Sequence, residues 1–135
     1  MILSNEAYLN IIETMPVVCI DGLIINEKKQ FLLVKRANEP LKNEFWMPGG
    51  RLHKNEKCED GIKRKILQEL NAEVEIIKCL GHFEEFFEKT EQNVKNGFHA
   101  ISIVFLLRLL NQNIKLDEQS MEWIWTEKLP MRLKN

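Results

Sequence analysis

One strongly amphipathic helix is set between two groups of β-rich runs, and this ordering most limits the folds open to the chain. Cys58, Ile62, Ile66, Leu67 and Leu70 recur at helical spacing over residues 57–70, and Asn71 suits a left-handed cap. Ahead of the helix, Val17–Ile25 and Phe31–Arg36 are rich in β formers and flank a polar turn, the pattern of a hairpin. Asp21 and Gly22 break the first run, which predicts a bulge or a carboxylate facing a cavity. Residues 46–50 read as a short strand stopped by a turn at the glycine pair. Beyond the helix, Val74–Phe87, residues 100–110 and residues 121–125 read as strands, the first two joined by the polar segment 88–98. Ser4 followed by Ala7, Tyr8, Ile11 and Ile12 predicts a capped N-terminal helix ending at Met15-Pro16. Such an order predicts an α+β fold, an α/β/α sandwich with a mixed β-sheet between helices.

No linker or repeat divides the 135 residues, so a single domain over 1–135 is expected. The formal net charge of -1 gives no field that would draw nucleic acid or an anionic membrane. The longest apolar run, from Ala100 to Leu107, is far short of the roughly 20 residues of a membrane helix. The opening MILSNEAYLN has no basic region leading into an apolar core, so a cytoplasmic protein is expected. Cys19, Cys58 and Cys79 lack C-x-x-C spacing and read as buried thiols, not a disulfide framework or zinc site.

Chemistry concentrates around the helix. Lys65, Gln68 and Glu69 are expected on its solvent side, away from Ile62 and Ile66, and Gly49-Gly50 ahead of it permit close backbone approach to a ligand. Taken alone, a surface helix with mixed charges after a tight turn explains this equally well. The longer pattern is more specific: Gly50, five residues, Glu56, seven residues, Arg64, then Ile66, Glu69 and Ala72, preceded by Trp46-Met47-Pro48-Gly49. It resembles the signature of the Nudix hydrolases. The family pattern has Glu at positions 65 and 68 and Gly at 71, where this chain has Lys65, Gln68 and Asn71.

Those substitutions resemble the GDP-mannose mannosyl hydrolase branch, which lacks the same two glutamates and cuts a sugar C–O bond. Residues 15–18, Phe31–Arg36, 45–51, 81–87 and 117–119 also resemble that branch. The resemblance implies one Mg2+ held by the Gly49 carbonyl, Glu69 and Gln119, with substrate oxygens and water completing its shell. It implies that Arg36 and Arg51 stabilise the departing nucleoside diphosphate and that Asp21 orients the substrate. Gly50 would be a structural residue of the motif, and Arg64 would pair with Glu56 to brace the loop. Ser120 stands at the branch's general-base position, Glu85 where a His is usual, and Ala100 where a Tyr would support the leaving group. Glu85, among Phe83, Phe86 and Phe87, reads either as an edge charge against aggregation or as a replacement base. His99 reads as a structural hydrogen-bonding histidine. The implied partner is a small nucleotide sugar, with a homodimer also in keeping with the family. Phosphoanhydride cleavage and a binding module without turnover are the alternatives. The chain ends soon after residues 129–133, earlier than this family usually does, so a C-terminal helix closing the site is not expected.

Overall fold

A computed structural model describes residues 3–38, 41–88, 95–111 and 113–129; most of the polar segment 88–98 and the end of the chain from residue 130 lie outside them. Helix α1 (Asn5–Thr14) begins as its sequence predicts, with the Ser4 hydroxyl oxygen accepting the Ala7 N–H at 3.2 Å, and its chain turns extended at Met15. Strands β1 (Val17–Ile25), β2 (Phe31–Arg36), β3 (Phe45–Trp46) and β4 (Gly49–Arg51) precede α2 (Cys58–Leu70). Strands β5 (Val74–Phe87), β6 (Phe98–Leu109) and β7 (Ser120–Thr126) follow it. Together they make one seven-stranded mixed sheet ordered β3-β2-β1-β6-β5, with β4 added to β1 and β7 to β2. Among the described residues no helix is long and apolar enough to cross a membrane.

Strand β1 organises the sheet. It runs parallel to β6 from Val17 to Ile24 without a break, so the expected bulge at Asp21 is absent. On its other side it changes partner: Cys19, Ile20 and Asp21 pair with Arg51, Gly50 and Gly49, whereas Ile24 and Ile25 pair with Leu32 and Phe31. The polar break in the sequence marks this exchange. Gly49 and Gly50 are therefore strand residues with ordinary φ, not the turn expected at this point. The side-chain period of two sends Ile20, Gly22 and Ile24 toward α2, where they meet Ile62 and Ile66. Leu23 points to the opposite face and joins Leu33, Trp46, Met47 and Val104.

Two apolar expectations fail on the same principle. Leu67 lies on the flank of α2 and is half exposed, because Ile62, Ile66 and Leu70 already fill the stripe against the sheet. Cys79 is exposed because β5 is an edge strand whose pairing slips between Ile76 and Lys78 and again between Cys79 and Gly81. The left-handed cap at Asn71 is present, with φ 54°.

The segment from β4 to α2 is held by an internal clamp. Arg64 Nε donates to Glu56 Oε2 at 2.7 Å and its Nη2 to Glu56 Oε1 at 3.1 Å, a bidentate pair. The same Nη2 donates to the Arg51 carbonyl at 3.1 Å, and Glu56 Oε1 also accepts the His53 N–H at 3.1 Å. One guanidinium thus joins helix, loop and strand. The Arg64 hydrogen bond holds the Glu56 carboxyl well below its usual range, at about 2.

Close packing and the clamp each carry a prediction. A Cβ at Gly22 would lie 2.5 Å from Leu107 Cδ1 and 3.3 Å from Ile62 and Ile66 Cδ1, so these buried side chains would have to shift. Gly22→Ala is expected to lower the unfolding free energy by about 1–3 kcal/mol in urea titrations; an unchanged midpoint would contradict this packing. Because the carboxyl of Glu56 is depressed by folding, its contribution is complete above about pH 4.5 and is lost as pH falls toward 2. Arg64→Met is expected to cost about 1–2 kcal/mol at pH 7, the gap to the unmodified protein narrowing between pH 4.5 and pH 3.

Candidate functional site

Glu69 is not on a solvent-facing side of α2. It is 5 % exposed, because it follows Ile66 by three positions and Ile62 by seven and so shares the edge of their buried stripe. Its Oε2 accepts the Gly49 N–H at 3.1 Å, and its Oε1 lies 3.3 Å from Lys65 Nζ. Burial pushes its carboxyl up; Lys65 opposes this, and the Asp117 charge adds to it. Both glycines of β4 are there for space. A Cβ on Gly49 would collide with the Asp21 carboxylate and the Ile20 carbonyl, and one on Gly50 would lie 2.6 Å from Lys65 Cε. Gly49 therefore separates two carboxylates, Glu69 reached by its N–H and Asp21 lying against its Cα.

Asp21 accepts a hydrogen bond from the Ser102 hydroxyl of β6. Burial raises its carboxyl to about 7 against that hydrogen bond; the Glu69 and Glu85 charges add to the rise and Arg36 opposes it. Cys19, two residues earlier, is raised to about 12 by burial and by Asp21, with Lys65, Arg36 and Arg51 acting in the opposite direction. These mutual influences place Asp21, Glu69, Glu85, Arg36, Arg51 and Lys65 around one region. Ser102 and the Lys65–Glu69 pair are the members that sequence reading missed. The pair had a signal, its i,i+4 spacing. Ser102 had none, since 81 residues separate it from Asp21.

The loop before β7 joins this region to the end of β2. Asp117 N–H donates to the Glu69 carbonyl at 3.1 Å, and its Oδ1 accepts the Gln119 N–H at 3.0 Å. The Ala37 N–H donates to the Gln119 carbonyl at 3.1 Å, and the Gln119 side-chain oxygen accepts from Asn38 at 3.5 Å. Ser120 is opposite Arg36 in the β2–β7 ladder, at a register shift between Lys35 and Arg36. Glu85 is opposite the buried Ala100, next to Phe83, which is opposite Ser102. His99 departs from the expected hydrogen-bonding role: its buried Nε2 has no hydrogen-bond partner, and its ring stacks on Phe86 with centroids 4.3 Å apart.

Among the described residues no group of three or more His, Cys, Asp or Glu side chains could hold a metal ion. The candidate ligands named from the sequence, the Glu69 carboxylate, the Gly49 carbonyl and the Gln119 amide, all offer oxygen. Such a set fits Mg2+ in the sparse form in which one carboxylate anchors the ion and substrate phosphates and water fill the remaining positions.

Comparison with known proteins identifies the fold and its family. Residues 15–134 match the NUDIX domain family. Low-salt glycan biosynthesis protein Agl8 of Haloferax volcanii is 33% identical over 117 residues, covering 87% of this chain and 74% of that protein. An ADP-ribose pyrophosphatase of Methanocaldococcus jannaschii is 31% identical over 107 residues, covering 79% of this chain and 59% of its own length. The crystal structure of a MutT NUDIX hydrolase from Burkholderia pseudomallei superposes with a TM-score of 0.74 at 23% identity, covering 87% of this chain and 88% of that one. With its mixed sheet, its glycine-bearing strand leading to α2 and a family match across nearly the whole length, the chain belongs to the Nudix hydrolase family.

Proposed function

We propose that the protein hydrolyses a GDP-mannose-like nucleoside diphosphate sugar at the glycosyl C–O bond, releasing the nucleoside diphosphate and the free sugar. The observation that carries this reading is the charge on the face of α2 beside β4: Glu69 is its carboxylate, and Lys65 is paired with it. Attack on phosphorus is helped by several carboxylate-bound cations that activate water and neutralise the phosphoryl group. Attack on the anomeric carbon needs positive charge only where the diphosphate departs. Arg36, Arg51 and Lys65, which all act on Cys19, supply charge of that sign. A bound Mg2+, held by Glu69, the Gly49 carbonyl and the Gln119 amide oxygen, would add to the neutralisation of the leaving group. The name of the Agl8 relative, a glycan biosynthesis protein, is in keeping with a sugar-bearing substrate.

In this reaction the water oxygen bonds to the anomeric carbon, the C–O bond breaks, and its electron pair leaves on the diphosphate. The water proton passes to a base on the face opposite the leaving group. Ser120 has no means of accepting it at neutral pH. Glu85, whose charge reaches Asp21, takes that role, and the Asp21–Ser102 pair orients the sugar. Glu85→Gln is expected to lower kcat by about a hundredfold or more, and Ser120→His to raise it at least about tenfold. A Ser120→His variant with unchanged kcat would sink the account in which a base is missing from that position.

The ADP-ribose pyrophosphatase relative favours a second reading, phosphoanhydride cleavage to nucleoside monophosphate and sugar phosphate. Reaction with GDP-mannose in 18O-water separates the two. GDP with label in mannose is the expected result, whereas GMP and mannose 1-phosphate, one of them labelled, would assign the second. Calorimetric binding of GDP-mannose with no product would instead assign a binding module.

A further inference from the structure

We propose that Lys65 is the resident counter-ion of Glu69, so that a divalent ion gains this carboxylate only by displacing the lysine ammonium. The inference rests on Glu69 being the metal-binding carboxylate, as in the function proposed above, and adds that the chain carries its own competitor for that position.

Both Glu69 oxygens are already committed, Oε2 to the Gly49 N–H at 3.1 Å and Oε1 to Lys65 Nζ at 3.3 Å. The pair is enclosed, with side-chain exposures of 13 % for Lys65 and 6 % for Glu69. Charges in such surroundings interact more strongly than on an open surface and are costly to separate. The lysine stem is fixed as well. It lies over Gly50, where a Cβ would be 2.6 Å from Cε and 3.0 Å from Nζ, so the bare Cα of β4 makes room for the extended side chain.

Mg2+ requires oxygen ligands at about 2.0–2.1 Å. An ion at that distance from Glu69 Oε1 would share the oxygen with an ammonium 3.3 Å from it, and the two like charges repel. Among the described residues no group of three or more His, Cys, Asp or Glu side chains gathers to hold the ion and relieve the conflict. A diphosphate does relieve it, by giving the ammonium another anion to face. Metal and nucleotide therefore enter this site together, and the ion alone binds weakly.

The test is Mn2+ binding to the full chain at pH 8 without nucleotide, read by electron paramagnetic resonance and calorimetry. Lys65→Met keeps the length of the stem and removes the charge; Mn2+ is expected to bind it between about fivefold and a hundredfold more tightly than the unmodified protein. Lys65→Gln, which leaves Glu69 a neutral donor, is expected to gain in the same direction and covers the case in which Met disturbs the fold. Lys65→Arg retains the charge and is expected to show no gain. Glu69→Gln should lose the Mn2+ site in the unmodified background. If Glu69→Gln loses the site while both neutral Lys65 variants bind Mn2+ no more tightly, the lysine inference is overturned and Glu69 remains a ligand. If Glu69→Gln binds as the unmodified protein does, the metal assignment falls and the inference with it. Neither outcome depends on which bond of a nucleotide sugar is cut.

Discussion

The architecture depends on the two-residue alternation of β1. Its even positions, Ile20, Gly22 and Ile24, lie under α2, and its odd positions, Cys19 and Asp21, carry polar atoms toward the opposite side. A slip of one residue would place a carboxylate under Ile62 and Ile66 and an isoleucine against Ser102. The unbroken parallel pairing with β6 fixes that register, and pairing to β4 extends it to the glycines. Gly22 lets the helix come close enough for Glu69 to reach the N–H of Gly49. The position of the acid on α2 is thus a consequence of packing under β1.

Burial then governs the electrostatics. Asp21 and Glu69 are both pushed toward the neutral form by loss of water; the Glu69 charge adds to the rise at Asp21, and the Asp117 charge adds to the rise at Glu69. The positive groups Lys65, Arg36 and Arg51 act on the same region. The arrangement is poorly suited to adding further carboxylates, each of which would need its own cation. The clamp between Arg64 and Glu56 works differently: its charges satisfy each other and a strand carbonyl, which steadies β4 without adding to the field of the site.

What the sequence disclosed follows from how local each feature is. The clamp sits within one loop and helix, and the family resemblance already implied the pairing of Arg64 with Glu56. The Ser4 cap and the Asn71 cap are set by their own neighbours. The side of α2 that holds Glu69 was misread because residue 69 lies at the border of the buried stripe, and only the sheet determines which border is covered. The glycine pair suggested a turn, since a missing side chain looks the same whether it serves φ or space; here it serves space. The bond from Ser102 to Asp21 needs the β1–β6 register, which no local pattern encodes.

Gly49 shows how these levels meet in one residue. Its N–H holds Glu69 on one side, its carbonyl is the candidate backbone ligand, and its bare Cα lets the Asp21 carboxylate lie against the strand. Any side chain there would collide with Asp21 and with the Ile20 carbonyl, forcing β4 away from β1 and drawing the amide from Glu69. The separation of the two acids is therefore set by the thickness of a single strand of backbone. A side chain lining such a gap can change rotamer, whereas a paired strand cannot shift without breaking its ladder. A rigid spacer of that kind holds the two buried acids on either side of one strand of backbone.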